Sequence, residues 1–465
     1  MNELTMNLEP KSSVPLYEQI YQYIKNDIQT GRISAKEKLP STRSLASYLE
    51  VSRSTVELAY EQLLSEGYIE AVPYRGYYVL DVQQLYRFRT KKVEKKTENK
   101  PQVDCRYDFS PNGVDLKHFP YQVWKKLSKD VLSEDKSSLF QTGDPQGEYG
   151  LRYVICGYLY QARGVNCTPD QIIIGAGNDY MLLLLRTILG EGYKAAFENP
   201  TYKQAYRLFR KLDYQVCTVN MDKYGMEVET LKKLDADIAY VMPSHQYPLG
   251  IVMPIKRRME LLAWAEEKEG RYIIEDDYDS EFRYKGKPIP ALKGYDAAEK
   301  VIYMGTFSKS IAPAIRMSYM VLPNPLLRRY RETCMFMNST VSRVDQMILQ
   351  HFIEDGYYER HLNRMRALYK SRHDILLNSL RSHFPSCKIS GENAGVHLLL
   401  TFTDGRTENE LIQSALEKGI KVYALSAYDI GEAKNGGASV LLGYANIEEQ
   451  EIEQAVKILK SVWVK

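Results

Sequence analysis

What is scarce in this sequence narrows its class before any motif is read. No run of about 18 apolar residues occurs, so no membrane span is expected. The first residues lack a charged-then-apolar pattern, so no secretory leader is expected. The six cysteines (Cys105, Cys156, Cys167, Cys217, Cys334, Cys387) are scattered without CxxC spacing. That pattern reads as reduced thiols of a cytoplasmic protein, with neither a disulfide framework nor a metal site. Net charge is also lacking: 62 Lys and Arg against 59 Asp and Glu leave +3, which names no partner. What is present is an ordinary globular composition, 44% hydrophobic and 26% charged. At 465 residues the chain exceeds one hydrophobic core, so two or three domains are expected.

Two stretches carry the chemistry. In the first, the apolar run Val301-Ile302-Tyr303-Met304 predicts a buried strand that runs into Gly305-Thr306-Phe307-Ser308-Lys309-Ser310 and, further on, Arg316. A lysine desolvated in such a loop loses its proton more easily and attacks carbonyls. Thr306 and Ser308 offer hydroxyls, and Arg316 a planar cation suited to phosphate. In the second, Ile273-Ile274 leads into Glu275-Asp276-Asp277-Tyr278-Asp279-Ser280-Glu281. Carboxylates at the end of an apolar strand are costly unless they meet a cation. An amine beside a phosphate cradle, with an acid to face a protonated pyridine nitrogen, is what pyridoxal phosphate requires. Both stretches fall at predicted strand C-termini, where open α/β sheets place ligands.

The pair EDDYDSEF and GTFSKS…R resembles fold-type I aminotransferases. More narrowly, it resembles the aminotransferase-like half of the MocR/GabR subfamily of GntR-type transcription regulators, over about residues 14–465. The resemblance implies that Lys309 forms a Schiff base with the cofactor, that Asp276 faces the pyridine nitrogen and that Tyr278 faces the phenolic oxygen. Asp277 is the alternative to Asp276. Gln171-Ile172-Ile173-Ile174 then predicts a strand running into Gly175-Ala176-Gly177-Asn178 and an apolar helix, Met181 to Leu189. Glycines before a helix N-terminus can hold a phosphate, so Gly177 and Asn178 join the cup. By resemblance Tyr202 stacks on the cofactor face. Tyr247, in Ser244-His245-Gln246-Tyr247-Pro248-Leu249-Gly250, stands where an asparagine would bond the phenolic oxygen. His245 or Gln246 are alternatives for that role, and His245 reads equally as a core histidine. Gly143-Asp144-Pro145-Gln146-Gly147 resembles a segment that helps close the site.

The N-terminal residues 1–80 read as a winged helix-turn-helix. Leu16, Ile20, Ile24 and Ile28 recur every four residues, and Gly31 stops that helix. Ser41 caps a second helix with Leu45 and Leu49 inward, and Val51 is the turn. Ser52 caps a third whose buried stripe is Val56, Ala59, Tyr60, Leu63 and Leu64. Tyr68–Val72 and Tyr77–Val79 pair around Pro73-Tyr74-Arg75-Gly76 as the wing. LPSTRSLASYL…SRSTVELAYEQLLSEGYI resembles the GntR helix-turn-helix, which implies contacts of Arg43, Arg53, Ser54, Thr55 and Arg75 with double-stranded operator DNA. The segment carries eight Lys and Arg against ten Asp and Glu, so placement rather than net charge must supply the basic face.

Residues 81–105 lose periodicity and hold seven Lys and Arg between Arg87 and Lys100 against Glu94 and Glu98, a charged tether. Residues 106–465 are expected to form the aminotransferase-like body. Strand-helix alternation from 170 to 320 predicts a mostly parallel sheet with helices on both faces, and about 325–465 a smaller α+β subdomain. In many aminotransferases a strand of that subdomain carries an arginine for the substrate carboxylate. Here Ser439-Val440-Leu441-Leu442-Gly443-Tyr444 has leucines, which weighs against ordinary α-amino acids.

The functional expectation is a regulator whose pyridoxal phosphate domain senses an amine, an amino acid or the cofactor itself through Lys309, and so shifts the DNA-binding heads. A working aminotransferase with a DNA-binding appendage is the alternative. By resemblance the assembly is a homodimer, the head of one chain over the body of the other.

Overall fold

The computed structural model describes residues 6–10, 12–81, 105–133, 137–284, 286, 289–431 and 437–464. The tether therefore lies almost wholly outside the described residues. The chain divides into two compact units, Met1–Gln102 and Val103–Lys465.

In the first unit three helices, α1 (Leu16–Thr30), α2 (Thr42–Tyr48) and α3 (Arg53–Ser65), precede a hairpin of β1 (Ile69–Val72) and β2 (Gly76–Val79). The apolar period of four buries Ile20, Ile24 and Ile28 against Val56, Ala59, Tyr60 and Leu63. Gly31 ends α1 at φ 77°, a conformation cheap only for glycine. The Ser41 and Ser52 side chains accept from the amides of Ser44 and Thr55 and so start α2 and α3. The strands pair antiparallel, Ile69 opposite Val79.

The second unit is built on an eight-stranded sheet. Its strands are β3 (Ile172–Gly175), β4 (Lys194–Asn199), β5 (Gln215–Asp222), β6 (Gly225–Met226), β7 (Ile238–Val241), β8 (Tyr272–Asp277), β9 (Val301–Thr306) and β10 (Ser318–Val321). Their order is β3-β10-β9-β8-β7-β4-β5-β6. The run from β9 to β5 is parallel, whereas β10 is antiparallel to both β9 and β3. β3 therefore points the same way as the parallel run. Three cores cover the faces: Ile173, Phe197, Tyr240 and Ile274 lie in one, Ile172, Ile174, Tyr303 and Tyr319 in a second, and Ala196, Val219, Ala239 and Ile273 in a third. Burial on both faces explains why these strands read as unbroken apolar runs. Helices α4 (Tyr149–Arg163) and α5 (Asn178–Leu189) supply parts of those cores.

A four-stranded sheet follows, with β11 (Lys388–Ser390), β12 (His397–Phe402), β13 (Tyr423–Ala424) and β14 (Ala438–Gly443) in the order β11-β12-β14-β13. It packs on α6 (Tyr357–His383) and α7 (Glu449–Trp463). This core also takes in Tyr107 and Phe109 from the start of the body. Residues 107–108 pair parallel with 420–421, and the Gly443 amide donates to the Phe109 carbonyl at 2.9 Å.

Candidate functional site

Because β3, β4, β7, β8 and β9 run the same way, their C-terminal loops gather at one edge of the sheet. A cavity of about 160 Å³ opens there. Asn178, Tyr202, Tyr247, Asp276, Tyr278, Thr306, Ser308, Lys309 and Arg316 all line it. Of the residues first assigned to the cofactor from sequence Gly177 is outside the lining, lying against Arg316, and so are the alternatives Asp277, His245 and Gln246. Asn112, Asp179, Gln204 and Met242 also line it and were not expected. Nothing local marks Asn112: pairing of 107–108 with 420–421 carries it there.

Lys309 follows β9. Its Nζ lies 3.3 Å from the Pro111 carbonyl and 3.5 Å from Asn112 Oδ1. Burial lowers its pKa to about 8, and the Asp279 carboxylate offsets part of that fall. An amine so placed has a larger unprotonated fraction near neutrality than a surface lysine.

The acidic run that ends β8 resolves residue by residue, and sequence had expected its members to need cations. Neighbours on a strand project to opposite faces. Asp277 turns to Arg163 Nε at 2.8 Å and accepts from the Tyr303 hydroxyl at 2.5 Å. Asp276 turns the other way, accepting from the Tyr240 hydroxyl at 2.5 Å and from Asn178 Nδ2 at 3.5 Å. Glu275 accepts from the amides of Leu292 and Lys293. Among these three only Asp277 has a protein cation, while Asp276 is left facing the cavity. Burial raises the Asp276 pKa to about 6, with the Tyr240 hydrogen bond opposing the rise.

At the other end of the cavity α5 begins at Asn178, with Gly177 as its cap at φ 90°. Its first amides are free of intrahelical partners, as at any helix start. A Cβ at Gly177 would fall 2.3 Å from Arg316 Nη2. Arg316 has a carboxylate partner only at 3.7 Å, Asp179. Thr306 Oγ1 accepts from Ser318 Oγ at 2.9 Å and from the Ser308 amide at 3.2 Å. Ser308 Oγ is buried without a partner. An orphan hydroxyl, an under-used guanidinium and a helix start converging on one end fit a phosphate; the lysine and Asp276 fit the pyridine aldehyde it carries.

Tyr247 lines the cavity and its hydroxyl donates to that of Tyr428 at 2.9 Å. Gln246 spends its side chain on the backbone of Pro200, Tyr247 and Leu249, so it is not available as a ring ligand. His245 is not in the lining; it sits behind Tyr278, whose hydroxyl is 2.9 Å from its Nδ1. The segment Gly143–Gly147 does not line the cavity either, being held by the buried Arg152, which donates to the Gly147 carbonyl and Asp144. β14 is buried throughout and brings no cation toward a ligand.

In the first unit Arg43 lies in the first turn of α2, Arg53 opens α3 and Arg75 lies in the hairpin turn, all exposed. Arg43 and Arg75 have no side-chain partner among the described residues, whereas Arg53 pairs with Glu57 at 2.7 Å. Ser54 and Thr55 share the Ser52 hydroxyl, at 2.8 and 2.7 Å.

A winged helix-turn-helix joined to a pyridoxal phosphate-binding aminotransferase fold defines a class: DNA-binding transcription regulators with an aminotransferase-like body. Comparison with known proteins agrees. Residues 16–79 match the model of bacterial regulatory proteins of the gntR family, and residues 108–459 that of aminotransferase class I and II. The chain belongs to the MocR/GabR subfamily of GntR-type regulators. It is 39% identical to the uncharacterized HTH-type transcriptional regulator YhdI of Bacillus subtilis, over 99% of this chain and 98% of that one. It is 30% identical to the probable rhizopine catabolism regulatory protein MocR of Rhizobium meliloti, over 98% and 95%. The pyridoxine biosynthesis regulator PdxR of Corynebacterium glutamicum is 29% identical, over 97% and 96%. Among solved structures, Pyrococcus horikoshii kynurenine aminotransferase superposes with a TM-score of 0.68 at 24% identity, covering 83% of this chain and 99% of that one, a likeness of fold.

Proposed function

We propose that the body of this regulator reports a primary amine to its DNA-binding unit through the cavity at Lys309. The observation that carries the reading is the buried Lys309 amine, with its pKa lowered to about 8, in one cavity with the unpartnered Ser308 hydroxyl and Arg316. Bound pyridoxal phosphate supplies an aldehyde carbon for amines and an electron-withdrawing ring. Lys309 is the residue whose amine would hold that carbon, and an incoming primary amine would take its place there with the lysine amine set free. Arg316, Ser308, Gly177 and the amides from Asn178 onward hold the phosphate. Asp276 keeps a proton on the ring nitrogen, and Tyr202 and Tyr247 wall the ring. Asp277 has no part in this, since it does not line the cavity and its Oδ2 is held by Arg163 and Tyr303.

In the DNA-binding unit, Arg43 and Arg75 anchor phosphates and the start of α3, with Arg53, Ser54 and Thr55, meets the major groove. A homodimer completes the reading: Tyr149, Tyr153 and Tyr160 leave an aromatic stripe exposed along α4, the kind of face a second copy buries.

The test is a gel shift at low salt on DNA upstream of the protein's own gene, with loaded protein, with and without a panel of amines. A shift that an amine alters supports the reading. No shift under any condition sinks it. Sustained turnover of an amino acid with a keto acid at ordinary enzyme rates would favour an aminotransferase instead.

A further inference from the structure

Behind the cavity wall lies a buried chain of polar groups to which the proposed function assigns no task. His245 is 2% exposed and Asp279 1%. His245 Nδ1 lies 2.9 Å from Asp279 Oδ2, 3.1 Å from Oδ1 and 2.9 Å from the Tyr278 hydroxyl. The ring is walled in: a Cβ at Gly395 would fall 2.0 Å from Cε1, and one at Gly250 3.3 Å from Nε2. Nε2 is buried and has no partner. Tyr278 lines the cavity, whereas His245 and Asp279 do not.

These contacts restrict where the protons sit. A carboxylate at hydrogen-bond distance from a ring nitrogen needs a donor, so Nδ1 carries the hydrogen. A donating Nδ1 cannot also accept from a phenol. The Tyr278 oxygen is therefore on the receiving side, and its own proton is not spent on His245. The orphan Nε2 agrees, because a bare acceptor avoids burying a second N–H without a partner. Burial first, then the Asp279 charge, with a side-chain hydrogen bond to Asp279 as a smaller cause that a ring oxygen in the cavity would replace, hold the Tyr278 pKa well above its usual value, so the residue stays a phenol and a donor. The other ionisable groups near this chain are His397, whose ring is 5.5 Å from that of His245, together with Tyr247, Asp276, Tyr284, Lys309 and Tyr444. Burial lowers the His397 pKa to about 4; its Nε2 donates to the Pro248 carbonyl and its Nδ1 has no partner, so no hydrogen bond joins it to His245.

We propose that Asp279 and His245 are positioning residues: they fix the Tyr278 oxygen from behind and leave its proton for the phenolate oxygen of a pyridine ring in the cavity. The inference rests on reading the cavity as the pyridoxal phosphate site. A donor to that oxygen makes the conjugated nitrogen at Lys309 harder to protonate, so it lowers the pH at which the visible colour of the loaded protein changes.

The experiment titrates that colour against pH in the wild type and in Tyr278→Phe, His245→Phe, His245→Asn and the Tyr278→Phe/His245→Phe double variant. Tyr278→Phe should raise the midpoint by about one to two pH units, the scale of a hydrogen bond to a charged group. His245→Phe should give at least half of that shift, the double variant no more than Tyr278→Phe alone, and His245→Asn, which keeps a donor, most of the wild-type midpoint. A wild-type midpoint in His245→Phe, or additive shifts in the double variant, overturns the proposal. A second measurement needs no cofactor: nitrogen NMR of histidine-labelled apoprotein. The signal lost in His245→Asn should be an Nδ1–H tautomer, and an Nε2–H tautomer overturns the proposal. If wild-type protein takes up no pyridoxal phosphate, the site reading fails on its own, while the tautomer still decides whether Asp279 and His245 are arranged as stated.

Discussion

Gly177→Ala tests the phosphate cradle at its tightest point. Gly177 sits at φ 90°, where a side chain is strained, and the new Cβ would lie 2.3 Å from Arg316 Nη2 and 2.8 Å from Cζ. An ordinary carbon–nitrogen contact is about 3.5 Å, so the guanidinium has to retreat by about 1 Å. That displacement is enough to break a charge-assisted hydrogen bond, worth about 1.5–3 kcal/mol. The expected result is a 10- to 100-fold rise in the Kd for pyridoxal phosphate, at about 1.4 kcal/mol per decade. Backbone strain adds about 1–3 kcal/mol of lost fold stability. Absorbance titration of the apoprotein with the cofactor reads the first effect, and urea unfolding without cofactor reads the second. Gly157→Ala is the control: Gly157 lies on α4 with nothing within 4 Å of a new Cβ. It should leave the affinity unchanged and, by helix propensity, stabilise by up to about 1 kcal/mol. Wild-type cofactor affinity in Gly177→Ala would refute the reasoning, because the cradle would then not depend on Arg316 lying against this glycine.

The two aspartates should separate. Asp277→Asn strands the buried Arg163 and is expected to cost about 3–5 kcal/mol in unfolding, with or without cofactor. Asp276→Asn should do the reverse: cofactor binding weakens while the apoprotein gains on the order of 3 kcal/mol above pH 6. The sign follows because a carboxyl whose folded pKa is raised loses stability as pH climbs from its unfolded value through about 6; the amide removes that slope, as urea unfolding between pH 4 and 8 would read. Lys309 in the apoprotein should react with aldehydes at a rate that climbs up to about pH 8 and then levels, read by trapping with borohydride; a climb continuing past pH 10 would contradict the buried amine. Arg43→Ala and Arg75→Ala should each weaken DNA binding across sequences and reduce the salt slope by about one. Arg53→Ala should weaken it less, since Arg53 gives up its bond to Glu57 on binding.

Periodicity and capping are local, and they alone determined much of this protein. The four-residue stripe of α1, the serine caps of α2 and α3, and the apolar runs ending in a lysine loop and an acidic loop were all readable from neighbouring residues. So was the aminotransferase-like body with its DNA-binding head, because the two motif pairs are distinctive. Tertiary structure decided what depends on partners far along the chain. Asp276 and Asp277 are chemically alike in sequence; Arg163, 114 residues before the second, is what separates them. Asn112 reaches Lys309 only because residues 107–108 pair with 420–421. His245 read equally as a ring ligand or a core histidine. Its place behind Tyr278 is set by Asp279 and by two glycines, Gly250 and Gly395, the latter 150 residues downstream. Strand order and packing bring such groups together, and no local pattern in the chain encodes which distant partner a buried polar group will meet.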